Sequence, residues 1–225
     1  MQPRTHPKPH LSTVYRRTAA TVGVAVGVGA LLAYVKGPAA DPALLTTQFR
    51  SAIGNLSAPW LLIAAFAGMR AANFVGAAAL GLAATAAALV TFYAMTTHLM
   101  GAEAGGVVYQ LTQNRAYLEA GVVTGPLLGA SGWWLSRRIR LAAALISGVA
   151  LAAEPVVLSV MGAVFSRVAD QASRLIPLVV RIIPGWGITP DTSPVTLSAY
   201  AVEAAVGLAL IAYVMFRRRE MTPAR

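Results

Sequence analysis

Long apolar stretches alternate with shorter polar ones along the 225-residue chain. Polar breaks at 36–57, 70–73, 98–118, 136–140 and 166–194 leave six apolar stretches. These run at about 18–35, 57–70, 74–97, 119–135, 141–165 and 195–216. A helix needs roughly 20 apolar residues to cross the hydrocarbon core of a bilayer. The pattern therefore predicts an all-α polytopic membrane protein with six transmembrane helices. Residues 1–17 form a polar tail, 18–216 one membrane domain, and 217–225 a basic tail. The first stretch has the basic flank of a signal peptide, but its core is too long and no A-x-A site follows, so it reads as an uncleaved helix. The second opens on Ser57, Ala58, Pro59 and Trp60. Ser57 suits an N-cap, and Pro59 an early helical position where its missing N–H costs nothing.

Charge sets the orientation. With the N-terminus inside, the cytoplasmic segments hold Arg4, Lys8, Arg16, Arg17, Arg70, Arg137, Arg138, Arg140, Arg217, Arg218, Arg219 and Arg225. The outer loops hold the other six of the 18 basic residues: Lys36, Arg50, Arg115, Arg167, Arg174 and Arg181. The positive-inside rule then predicts both termini in the cytoplasm and a multi-pass protein of the plasma (bacterial inner) membrane. Trp60 and Trp186 fall at the expected outer interface; Trp133, Trp134 and Tyr213 fall at the inner one. Between the last two spans, Val168, Ala172, Leu175, Ile176 and Val179 recur at helical spacing opposite Arg167, Asp170, Gln171 and Arg174. This predicts an amphipathic helix on the outer surface, with a lid or a partner-binding surface as alternatives. Pro177 and Pro184 bend or end it.

Composition narrows the function. Hydrophobic residues make up 57% of the chain and charged ones 12%, with mean hydropathy +0.64. Six spans leave no room for a soluble catalytic domain. Without cysteine there is no disulfide, thiolate metal site or cysteine nucleophile. The net charge of +10 does not imply nucleic acid, because the basic residues flank apolar spans. Their expected counter-charge is the lipid headgroup.

Two acidic residues stand out. Glu154 lies about 14 residues into the fifth span, followed by Pro155, with Ser147 on the same helical face. Glu203 lies about nine residues into the sixth span, with Tyr200 one turn before it. A charge near the bilayer centre costs at least ~2.5–3.5 kcal/mol on insertion scales, so such residues usually face the bundle interior. If the two spans pack together, the carboxyls share one depth and form a proton-holding pair. The alternative is that each simply bonds to a Ser, Tyr or carbonyl neighbour. On the binding reading, Glu154, Glu203, Tyr200 and Trp60 line an outward-opening cavity. Small residues recur every fourth position as Ala19, Gly23 and Gly27 in the first span, and as Gly121, Gly125 and Gly129 in the fourth. Such stripes mark either packing within the bundle or docking of a second membrane protein.

Gly129-Ala130-Ser131-Gly132 matches the serine motif of rhomboid proteases. That chemistry needs a histidine within hydrogen-bond reach of the serine. Ser131 sits near the inner end of its span and His98 at the outer end of another, so no protease is expected. No metal-binding or cofactor motif is present in the sequence.

Asn55-Leu-Ser-Ala-Pro-Trp60, Gly125-Pro-Leu-Leu-Gly129 followed by Gly132-Trp-Trp134 with Arg137 and Arg138, and Ala153-Glu154 together resemble an uncharacterised family of small, actinobacterial-type membrane proteins. That family is catalogued as a domain of unknown function, and the resemblance spans roughly residues 15–216. It implies a six-helix layout and no activity. In layout the chain is also similar to the substrate-binding subunits of energy-coupling-factor vitamin importers. That similarity implies docking through the first helix and ligand entry from outside. The expectation is a non-enzymatic transport or ligand-binding subunit without cofactor. A structural or regulatory subunit of a larger membrane complex is the alternative. The bilayer is the expected partner, with room for another membrane protein.

Overall fold

The computed structural model describes residues 11–37, 44–54, 56, 58–101, 106–139, 141–156 and 194–220. Among them every regular element is helical: α1 Leu11–Lys36, α2 Leu45–Gly54, α3 Ala58–Met69, α4 Phe74–Met100, α5 Gly106–Gln113, α6 Arg115–Arg138, α7 Ala142–Val156 and α8 Pro194–Glu220. The outer amphipathic helix expected around 166–194 falls almost wholly outside the described residues, as do Ser57 and Trp186.

Four segments are long and apolar enough to cross a membrane: Tyr15–Lys36, Leu45–Met69 taken as one, Phe74–Met100 and Leu197–Arg217. Burial supports a membrane environment independently. The buried apolar residues are mostly alanines, at positions 25, 33, 58, 64, 65, 67, 77, 84 and 88 among others. The large ones face outward, including Val24, Leu31, Val75, Val122, Leu127, Val202, Leu208 and Phe216. Water would penalise that arrangement, whereas lipid tails are as apolar as leucine and favour small residues at helix contacts. The chain is accordingly a membrane protein.

Helix α4 is central, packing against α1, α3 and α6. Asn73 starts it: its Oδ1 accepts the Gly76 N–H at 2.7 Å. Gly101 ends it at φ +69° with its N–H on the Thr97 carbonyl. Backbone contact joins α4 to α6. A Cβ on Gly129 would overlap the Ala77 carbonyl, one on Gly81 the Gly125 carbonyl, and one on Gly121 would press on Thr85 and Leu89. That register is antiparallel. The α6 stripe Gly121, Gly125 and Gly129 is thus a packing seam. Gly68 of α3 closes on Gly129 from another side, and Gly132 on Ala65.

On α1 the outcome differs from the stripe read in sequence. Thr21, Ala25, Gly29 and Ala33 form the buried face, with Gly29 against the Ala88 carbonyl. Ala19, Gly23 and Gly27 are exposed, and nothing lies within 4 Å of a Cβ placed on either glycine. Both faces carry small residues every four positions, so spacing alone does not choose between them.

Three segments differ from their sequence reading. Helix α1 begins at Leu11, within the stretch read as tail, and α8 continues to Glu220. The polar segment 98–118 contains α5 and the first turn of α6. Most consequentially, residues 45–54, read as loop, form α2. Its Arg50 makes the segment look loop-like, yet the side chain is engaged: Nε and Nη2 donate to the Val35 and Tyr34 carbonyls at 2.9 and 3.1 Å. A cation thereby closes the C-terminus of α1, where carbonyls lack partners and the helix dipole is negative. Substituting Arg50 by Met removes this cap and is expected to cost about 1–3 kcal/mol, read as a lowered Tm of the detergent-solubilised protein.

Aromatic–cation pairs mark the opposite end. Arg137 lies over Trp133 at 5.1 Å, Arg138 over Trp134 at 4.6 Å and Arg217 over Tyr213 at 5.9 Å. Arg137 also donates to the Ala72 carbonyl at 3.2 Å, fixing α6 to the α3–α4 turn.

Candidate functional site

Helices α2 and α3 together make the apolar segment Leu45–Met69, long enough to cross a membrane and interrupted between its two halves. The second half begins inside the protein: Ala58 is fully buried. A helix start exposes N–H groups with no intrahelical acceptor, and a buried start needs a partner for them. Pro59, the second residue, has no N–H to satisfy. The Ala58 N–H is taken by Glu154, whose Oε2 accepts it at 2.5 Å across 96 residues of sequence. A carboxylate from α7 therefore caps α3, at the end where the helix dipole is positive.

Glu203 completes the centre. It is 4% exposed and Glu154 5%. The Glu203 carboxyl lies against the Glu154 side chain, yet neither of its oxygens has a hydrogen-bond donor among the described residues. Glycine brings the two helices together: a Cβ on Gly207 of α8 would meet the Ala152 nitrogen at 2.5 Å and the Gly148 carbonyl at 2.7 Å. These contacts sit one to two turns from the glutamates. A Gly207→Leu change is expected to separate the carboxyls and destabilise the fold by about 1–3 kcal/mol, as overpacking of a tight contact does. Chemical denaturation in detergent measures it.

Depth can be counted along three helices from their basic ends. Ala58 lies 11 residues from Met69, Glu154 12 from Ala142 and Glu203 14 from Arg217. At 1.5 Å per residue these are roughly 17, 18 and 21 Å, against a core about 30 Å thick. The three polar groups thus lie at similar distances from the basic ends of their helices.

Of the other expected site residues, Tyr200 is half-buried one turn before Glu203 on the same helix. Trp60 is only two residues past Ala58. Trp60 is partly buried. It stacks edge-on against Phe92 at 5.1 Å, in the cluster with Leu32, Ala33, Leu89 and Tyr93. It supports the α3 start from the side of α1 and α4. An open depression of about 480 Å³ lies between α2 and the start of α8, lined by Leu45, Thr46, Phe49, Arg50, Val195 and Ser198. Neither glutamate lines it. Ser131 donates to the Leu127 carbonyl. The α4–α6 register places it near Ala77, with His98 roughly 30 Å further along α4 at helical rise.

The glutamates were visible in the sequence as charges in apolar runs. Gly148, Gly207 and the role of Ala58 were not. The available signal was the hydropathy of 45–69 taken as one window, which is span-like despite Arg50 and Pro59.

The chain belongs to the family of unknown function DUF6518, whose model matches residues 9–219. No curated protein and no solved structure matches it.

Proposed function

We propose that this DUF6518 member is a non-enzymatic membrane protein that binds or transports a small molecule, with Glu154 and Glu203 as its polar centre. One observation carries the reading. The interrupted span α2–α3 starts its second half inside the bundle, and two carboxyls from different helices meet there. Interrupted helices with half-helix ends near the membrane midplane are the usual construction of transporter binding sites. Polar groups so placed are costly unless they serve a ligand pathway.

In this reading the chain crosses the bilayer six times, the spans including α1, α2–α3, α4, α6, α7 and α8. Both termini are cytoplasmic and the membrane is the plasma membrane. The bilayer is its partner, and nucleic acid is not. Because the protein lacks cysteine, single cysteines report sidedness cleanly. A membrane-impermeant maleimide should label Thr112→Cys in intact cells and Ala72→Cys only after permeabilisation; the reverse pattern refutes the orientation.

A thermal-shift screen of the purified protein against amino acids, vitamins, nucleosides and organic cations tests the binding role. A compound that raises Tm in the wild type and not in Glu154→Gln or Glu203→Gln supports it. If no compound does so, and both variants match the wild type in expression and growth phenotype, the reading fails.

The exposed face of Ala19, Gly23 and Gly27 favours a second reading, a structural or regulatory subunit that docks another membrane protein there. Gly27→Val should then leave the isolated protein intact and remove a co-purifying partner from native membranes.

A further inference from the structure

We infer that the Glu154–Glu203 pair is a monovalent-cation site: one positive charge, a proton or an alkali-metal ion, sits between the two carboxyls and couples ligand movement to a cation gradient. The inference rests on the binding reading above for its coupling, and on the geometry alone for the cation.

Glu203 carries it. The residue is 4% exposed, its carboxyl lies against the Glu154 side chain, and it finds no donor among the described residues. A buried acceptor without a partner is costly, and an ionised one more so. Among the described residues, α3 and α7 carry no cation and α8 has none within three turns of Glu203. On α8 the nearest titratable neighbour is Tyr200. On α7 it is Glu154 itself. α3 has no titratable side chain. On α2 the one cation is Arg50, whose guanidinium is spent on the carbonyls of α1. The Arg115–Glu119 salt bridge lies at the surface, away from this centre.

The α3 start supplies one N–H to Glu154 and places the positive end of its dipole there. That compensates one carboxylate and leaves the second. A proton on Glu203 would turn the facing acceptors into an O–H···O bond. An alkali ion would bridge the oxygens and could recruit the Leu151 carbonyl, which Pro155 leaves without its usual i+4 donor. Among the described residues no group of three or more His, Asp or Glu could hold a metal ion. Two carboxyls, one of them already engaged, match a single charge better than a divalent ion.

The test uses the full-length protein in lipid nanodiscs. Infrared spectra are recorded across a pH titration, and Tm is measured in sodium, potassium, lithium and choline chloride at equal ionic strength. A protonated-carboxyl band in the wild type at neutral pH, absent in Glu203→Gln, identifies the proton. A Tm several degrees higher in one alkali chloride than in choline, with the difference gone in Glu203→Gln, identifies that ion. If the wild type shows neither the band nor a cation-dependent Tm, the inference is overturned. The wild-type measurements decide this even if the variant does not fold. A cation response without any ligand in the thermal-shift screen would sink the transport reading and leave the cation site standing.

Discussion

Gly129→Val is expected to abolish the folded protein, while Gly27→Val leaves its stability within about 0.5 kcal/mol of wild type, the usual range for surface changes. The two glycines have the same sequence credentials, each closing a stripe of small residues at every fourth position. Their surroundings differ. Around Gly27 a new side chain meets nothing within 4 Å and projects outward. At Gly129 a Cβ overlaps the Ala77 carbonyl and reaches 3.0 Å from the Gly81 Cα, while Gly68 presses its own backbone toward the Gly129 carbonyl. The obstacles are backbone atoms on two helices, so no rotamer change relieves the clash. Overpacking typically costs about 1–3 kcal/mol where side chains can yield; here α3 and α4 must both retreat, which breaks the seam holding α6. A membrane domain with a stability near 5–15 kcal/mol loses a large share of it. Size-exclusion profiles and thermal unfolding in mild detergent give the comparison. Equal behaviour of the two variants would mean that the α3–α4–α6 contact does not form.

That contrast also shows what the sequence carries and what it withholds. Helices α1, α4 and α8 are legible because each is a long apolar run with basic residues at its end. The glutamates are legible because a charge inside such a run has few explanations. Their meeting is less so: it depends on the rotational setting of α7 against α8, which the Gly148–Gly207 contact fixes, and one glycine among many does not announce itself. Helix α2 was hidden because Arg50 and Gln48 make its composition loop-like, and the partner that neutralises Arg50 is the end of another helix. The start of α3 was less legible still: that Ala58 is buried and takes the Glu154 carboxyl depends on a partner 96 residues away.

Glu154 and Glu203 should respond in opposite senses to loss of their carboxyls. Glu154→Leu removes the acceptor for the Ala58 N–H, leaving a buried donor without a partner at the α3 start. Such a loss costs about 1–3 kcal/mol. Glu154→Gln keeps an acceptor oxygen and should recover most of that. Glu203→Leu instead removes a buried group that has no donor among the described residues, and exchanging an unsatisfied buried acceptor for an apolar side chain of similar size is expected to be neutral or stabilising. A gain in Tm together with lost ligand or cation response would mark Glu203 as retained for function at a cost in stability. The double variant then tells how the two carboxyls interact. If they share a proton or an ion, each holds the other in place, and Glu154→Leu costs more in the wild type than in the Glu203→Leu background, by about 0.5–3 kcal/mol as for contacting pairs. If they only repel, Glu154→Leu costs less in the wild type, because it also relieves Glu203. Chemical denaturation of the four proteins at neutral pH reads the sign of that coupling. A coupling of the repulsive sign would remove the shared charge from the centre of this site.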